Sequence, residues 1–124
     1  MNSEAEPLFV QVGRFVQDLI VDGSLQAGQR APSINELAAF HEINPATARK
    51  GLILLVDAGV LEKRRGIGMF VTPRARDVIL YERRHELAGN FIAPMIDEAL
   101  RLGHTRESLD DLIRRVAESR GMYR

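Results

Sequence analysis

No cysteine occurs in the chain, which excludes disulfides, thiolate metal sites and a cysteine nucleophile. No stretch comes near the ~18 consecutive apolar residues that a membrane-spanning helix needs, so a transmembrane role is excluded as well. Met1 to Pro7 is acidic and polar and lacks the basic start and apolar stretch of a secretory signal. Both absences point to a cytoplasmic protein. Nor is there an excess of either charge: Lys+Arg and Asp+Glu number 17 each, so the chain as a whole carries no nucleic-acid signature. What is present is a chain of 124 residues, 45% hydrophobic and 27% charged. That balance is expected of one folded domain, or of a small domain with a short appendage, and excludes a collagenous, low-complexity or disordered chain.

Dividing the charge is more informative. Residues 1–73 hold 7 basic and 8 acidic side chains, and residues 74–124 hold 10 and 9, so neither part is basic. Between residues 43 and 65, however, five basic side chains (Arg49, Lys50, Lys63, Arg64, Arg65) stand against two acidic ones (Asp57, Glu62). The positive charge is local.

The lead before Pro7 is expected to be untethered. Leu8, Val12, Phe15, Val16, Leu19 and Ile20 then recur at spacings of three and four, predicting a helix that Gly23 ends. Leu25 to Gln29 reads as a turn-rich connector to Arg30 and Ala31. Ser33 with Glu36 is a capping box, opening a helix that buries Ile34, Leu37 and Ala38 and ends near Glu42. Asn44 as N-cap and Pro45 at the first helical position start the next helix. Its apolar positions Ala48, Gly51, Leu52, Leu55 and Val56 continue until Gly59. Two short helices separated by a turn at His41 to Ile43 have helix-turn-helix spacing. Val60 to Lys63 and Met69 to Thr72 predict two strands, joined through Arg64 to Gly68, whose glycines allow a tight reversal.

The expected fold is therefore mostly α with a small β hairpin. An N-terminal winged helix-turn-helix over residues 1–73 is followed by a short two-helix module over 74–124. In that module Arg74 to Leu102 reads as helical, with Pro94 expected to kink or divide it. Gly103 ends this stretch, and Thr105 caps a last helix.

In a winged helix, the helix that starts at Asn44 is the recognition helix. Its apolar face serves the core, which leaves Ala46, Thr47, Arg49 and Lys50 pointing outward where a major-groove helix reaches base edges. Arg49 carries the fork that reads guanine through two bonds, and Thr47 and Lys50 suit phosphates. Ser33 and Asn35 lie at the start of the preceding helix, where amides meet a backbone phosphate. Lys63, Arg64, Arg65, Gly66 and Gly68 make the wing. Taken alone, Arg49 with Lys50 reads as a solvated helix face and the Lys-Arg-Arg run as a soluble turn. In a winged helix both patches fall on one side, which favours double-stranded DNA as the partner. The alternative is a winged-helix protein-interaction module without specific DNA binding. No Gly-rich phosphate loop, nucleophile elbow or carboxylate pair supports an enzyme. His41, His85 and His104 are too scattered to predict a metal site, and no cofactor is expected.

Pro7 to Val12, Gly23 to Ser33, Glu36-Leu37-Ala38, Ile43-Asn44-Pro45-Ala46-Thr47 and Arg64 to Val71 together resemble the GntR family of bacterial transcription regulators. The Ile-Asn-Pro-x-Thr start and the short tail are similar to its YtrA-like subfamily. The resemblance implies a dimeric, repressor-type regulator whose tail serves dimerisation and effector sensing. Many family members carry arginine where Asn35 and Pro45 stand, which shifts the implied base readout toward Thr47, Arg49 and the wing. Ala48 and Gly51 occupy positions where larger side chains are usual, so the recognition helix is expected to pack closer or less firmly.

The tail residues Ile79, Leu87, Phe91, Met95, Leu109, Leu112, Ile113 and Val116 form apolar stripes too large for two helices to bury alone, which predicts a homodimer. A two-fold dimer would set its recognition helices ~34 Å apart, or a multiple of that, and require a near-palindromic operator. Tyr81, Arg84 and His85, with Phe91, Met95 and Tyr123, offer the groups for a small-molecule effector cavity. The competing reading is that Phe91 and Met95 are plain interface core.

Overall fold

The computed structural model describes residues 6–124. They fall into two compact units, the first closing at Arg84 and the second running from His85 to Arg124. Residues 1–5 of the lead lie outside the described residues. Glu6 is tethered, contrary to expectation: its carboxylate meets the Arg14 guanidinium at 3.1 Å and its carbonyl accepts from the Gln11 side chain.

The first unit contains α1 (Leu8–Val21), α2 (Ile34–His41), α3 (Pro45–Asp57), β1 (Leu61–Arg64), β2 (Gly68–Val71) and most of α4 (Ala75–Glu86). The caps act as the sequence requires. Ser33 Oγ accepts from the Glu36 amide while Glu36 Oε1 accepts from the Ser33 amide, at 3.1 and 2.9 Å. Asn44 Oδ1 accepts from the Ala46 amide at 2.7 Å. Between α2 and α3, Glu42 adopts the left-handed conformation with φ 54°, so α2 stops and α3 starts after a three-residue turn. Both helices present Leu37, Ala38, Ala48, Leu52 and Leu55 to a core shared with Val12, Val16 and Ile20 of α1.

α1 and α3 meet at glycines. A Cβ on Gly51 would lie 2.7 Å from the Phe9 carbonyl oxygen and 3.1 Å from the Val12 side chain. The missing side chain at 51 thus means closer packing, one of the two outcomes the sequence allows.

β1 and β2 pair antiparallel with Leu61 opposite Val71 and Arg64 opposite Gly68. Arg64 and Gly68 belong to the strands, which begin and end one residue away from the predicted positions. The connector before α2 is not merely a turn. Gly28 and Ala31 donate to the Val71 and Met69 carbonyls, Val71 donates to Gln29, and Arg30 bridges Phe70, so residues 28–31 lie alongside β2, tied to it by an isolated bridge rather than as a strand of the two-stranded sheet.

The first unit also extends past Pro73. Ala75 and Ile79 of α4 are sealed in its core, Ile79 at 1% exposure. Arg76 donates to the Val21 carbonyl, and Arg83 pairs with Asp18 at 2.8 Å. Ile79, assigned from the sequence to a dimer interface in the tail, is instead a core residue of the first unit. The register explains the misassignment: its helical spacing fits the tail's stripe and the core of the head equally well.

In the second unit a π-helical segment, Leu87–Ile92, precedes α5 (Ala93–Arg101), and α6 is Arg106–Ser119. Pro94 sits in the first turn of α5, where its missing amide is tolerated. The wider π turn directly before it shifts the backbone register, which a proline ring facing the preceding carbonyls requires. Thr105 caps α6 by accepting from the Ser108 amide. Ala99 is the single buried apolar residue in α5, and α6 has none. Among the described residues no helix is long and apolar enough to cross a membrane.

Candidate nucleic-acid interface

The start of α2, the outward face of α3 and the hairpin enclose one groove of about 340 Å³. Arg49 reaches it from α3, Ser33 and Asn35 from α2, and Lys63, Arg64, Gly66 and Gly68 from the hairpin. Arg49, Lys63 and Arg65 are exposed and form no salt bridge among the described residues. The core forces this convergence: Ala48, Leu52 and Leu55 point inward, and the helical period then turns Arg49 outward. Strand pairing at β1 and β2 places the hairpin tip beside it.

The remaining residues selected from the sequence divide by role. Asn44 is exposed but its side-chain oxygen is occupied by capping. Ala46 is exposed and Thr47 half-buried. Lys50 is exposed as expected but does not line the groove; its ammonium lies 4.0 Å from the centre of the Phe9 ring on α1. Arg64 folds back along its strand, 3.1 Å from Glu62 Oε1 and 4.0 Å over the Phe70 ring. An exposed pair of this kind is worth ~0–1 kcal/mol, so a phosphate can exchange for Glu62 at little cost.

Glu36 stands one residue from the groove-lining Asn35. The Ser33 amide and hydroxyl hold its carboxyl below the ordinary value, and the charge of Arg30 adds to the effect. Arg30 itself lines the groove and was not singled out from the sequence. Its role depends on the bridge to Phe70, which a four-residue segment between two turns does not announce.

The family model for bacterial regulatory proteins of the gntR family matches residues 8–71, the segment that carries this groove. The chain belongs to the GntR family. It is 25% identical over 111 residues to the HTH-type transcriptional repressor YtrA of Bacillus subtilis, covering 90% of this chain and 85% of that protein. A GntR family transcriptional regulator from Listeria monocytogenes superposes with a TM-score of 0.74 at 25% identity, covering 90% of this chain and 96% of that one. The DNA-binding domain of AraR in complex with operator ORX1 matches 58% of this chain and 87% of its own, with a TM-score of 0.54 and 29% identity. This GntR protein is thus a winged-helix transcription regulator with a DNA-binding domain, in a family of regulators rather than enzymes.

The residues expected to serve an effector are divided between the units. Tyr81 and Arg84 line an open hollow of about 630 Å³ along α4. Met95 lines an apolar hollow of about 730 Å³ in the second unit, with Leu87, Leu112, Ile113 and Val116.

Proposed function

We propose that this GntR protein binds a near-palindromic operator as a homodimer, acts as a repressor, and changes its DNA affinity when a small-molecule effector occupies the tail. The observation that carries the DNA reading is the groove itself: Arg49 and Lys63 converge on it from separate elements without a carboxylate partner among the described residues. A phosphodiester backbone supplies the missing anion, and Arg49, at the start of the recognition helix, has the fork that reads guanine. Dimerisation is supported by the apolar side chains left exposed on the tail, Leu87 and Val116 among them at 51% each. An effector acts by preferring one arrangement of the two heads.

Selection and sequencing of duplexes retained by the purified protein gives operator and half-site spacing together; recovery of random sequence alone would remove the operator from the proposal. The absence of arginine at Asn35 and Pro45 favours a second reading, a protein-interaction winged helix. Duplex affinity that falls steeply with salt separates the two, because only phosphate neutralisation releases counterions.

A further inference from the structure

Arg30 and Gly68 make a feature that the recognition helix and wing tip do not explain. Arg30 bridges Phe70, and Arg64 lies opposite Gly68 in the hairpin register. Side chains alternate along a strand and pair across it, so Arg30, Phe70, Gly68, Arg64 and Glu62 share one face of the hairpin and its bridged neighbour. On that face the Arg30 guanidinium lies directly over Gly68: a Cβ there would come within 2.8 Å of Nε and 3.3 Å of Cζ. Gly68 has φ +146°, a backbone conformation that favours glycine where the chain leaves the hairpin turn, and the absent Cβ serves a second purpose. Its missing side chain is the seat for Arg30.

The charges make this seat more than packing. Arg64 approaches the face from β1 and Arg30 from the bridged segment on the other side of β2. Arg64 has Glu62 as a partner, whereas Arg30 forms no salt bridge among the described residues. The charge of Arg30 acts on the Glu36 carboxylate without closing a salt bridge to it, which leaves its guanidinium donors open to an incoming phosphate. Arg30 also lines the same groove as Arg49 and Lys63.

We infer that Arg30 is a DNA-backbone contact of this protein, a phosphate ligand between the wing and the start of α2, and that Gly68 is the positioning residue that holds its guanidinium flat. The inference rests on the DNA reading above.

Fluorescence anisotropy of the full chain with a labelled 30-base-pair duplex of random sequence, from low to moderate salt, tests it. Each phosphate neutralised contributes ~0.9 to the slope of log affinity against log salt. Arg30→Ala should make that slope shallower by about one, as Lys63→Ala should, with an unchanged urea midpoint. Gly68→Ala should flatten the slope to a similar degree, and adding it to Arg30→Ala should flatten it no further. An Arg30→Ala slope equal to wild type, beside a reduced one for Lys63→Ala, would overturn the role of Arg30, as would weaker binding at an unchanged slope. Further flattening by Gly68→Ala in the Arg30→Ala background would overturn the role of Gly68. A wild-type protein with no salt-dependent binding would instead overturn the DNA reading.

Discussion

Gly51 shows how a single residue sets the position of the recognition helix. In an exposed helix, glycine-to-alanine gains up to ~1 kcal/mol. At Gly51 the added Cβ would stand 2.7 Å from a backbone carbonyl of α1, and forcing two packed helices apart costs ~1–3 kcal/mol. Gly51→Ala should therefore lower the urea midpoint. Gly13 faces the same junction, but a Cβ there would find its nearest neighbour, Gly51 O, at 3.4 Å, an ordinary contact. Gly13→Ala should be neutral or stabilising, and a loss as large as that of Gly51→Ala would contradict this account of the crossing. Arg49 carries the corresponding argument for function. Arg49→Ala should cost about 1–3 kcal/mol at a selected operator and relax base preference at one position, whereas Lys63→Ala should weaken all sequences alike. Equal losses at operator and random DNA for both variants would remove Arg49 from base readout.

At the scale of an element, α2 depends on its first turn. Glu36 bonds the Ser33 amide, which holds its carboxyl below the ordinary value of 4.5. A depressed folded value means that the charged carboxylate stabilises the folded state above the unfolded value. That contribution is lost as pH falls through the folded value, below 4.5. Glu36→Gln, which keeps the shape without the charge, should melt below wild type at pH 7 and converge with it as the pH falls below 4.5. A gap independent of pH would assign the effect to something other than ionisation. The same turn borders the groove, so its loss would also loosen Ser33 and Asn35.

For the whole molecule, the balance between exposed and buried apolar surface decides assembly. Outside Ala99, the described apolar residues of α5 and α6 remain at least partly exposed, more than a soluble two-helix unit leaves open by itself. A second copy that covers them makes stability depend on concentration. Sedimentation at micromolar concentration should give a dimer, Val116→Asp should give a monomer, and the melting temperature should rise with protein concentration for wild type alone. A wild-type monomer would refute the dimer.

Local signals determined the elements. Capping pairs such as Ser33 with Glu36, the Asn44-Pro45 start and the glycines after α1, α3, α5 and α6 act within a few residues, so the sequence alone defines the helix-turn-helix, the hairpin and the winged-helix class. Arg49 was legible for the same reason, because the apolar period of α3 leaves it nowhere to point but outward. Contacts between segments distant in the chain were not legible. Nothing near Arg30 announces that residues 28–31 pair with β2, and nothing near Ile79 tells a tail stripe from the core of the head. The contact of Lys50 with Phe9 was not legible either, because Phe9 lies on another helix. Such choices depend on which surfaces meet once the core closes, and hydrophobic burial, being non-directional, leaves them to the tertiary structure.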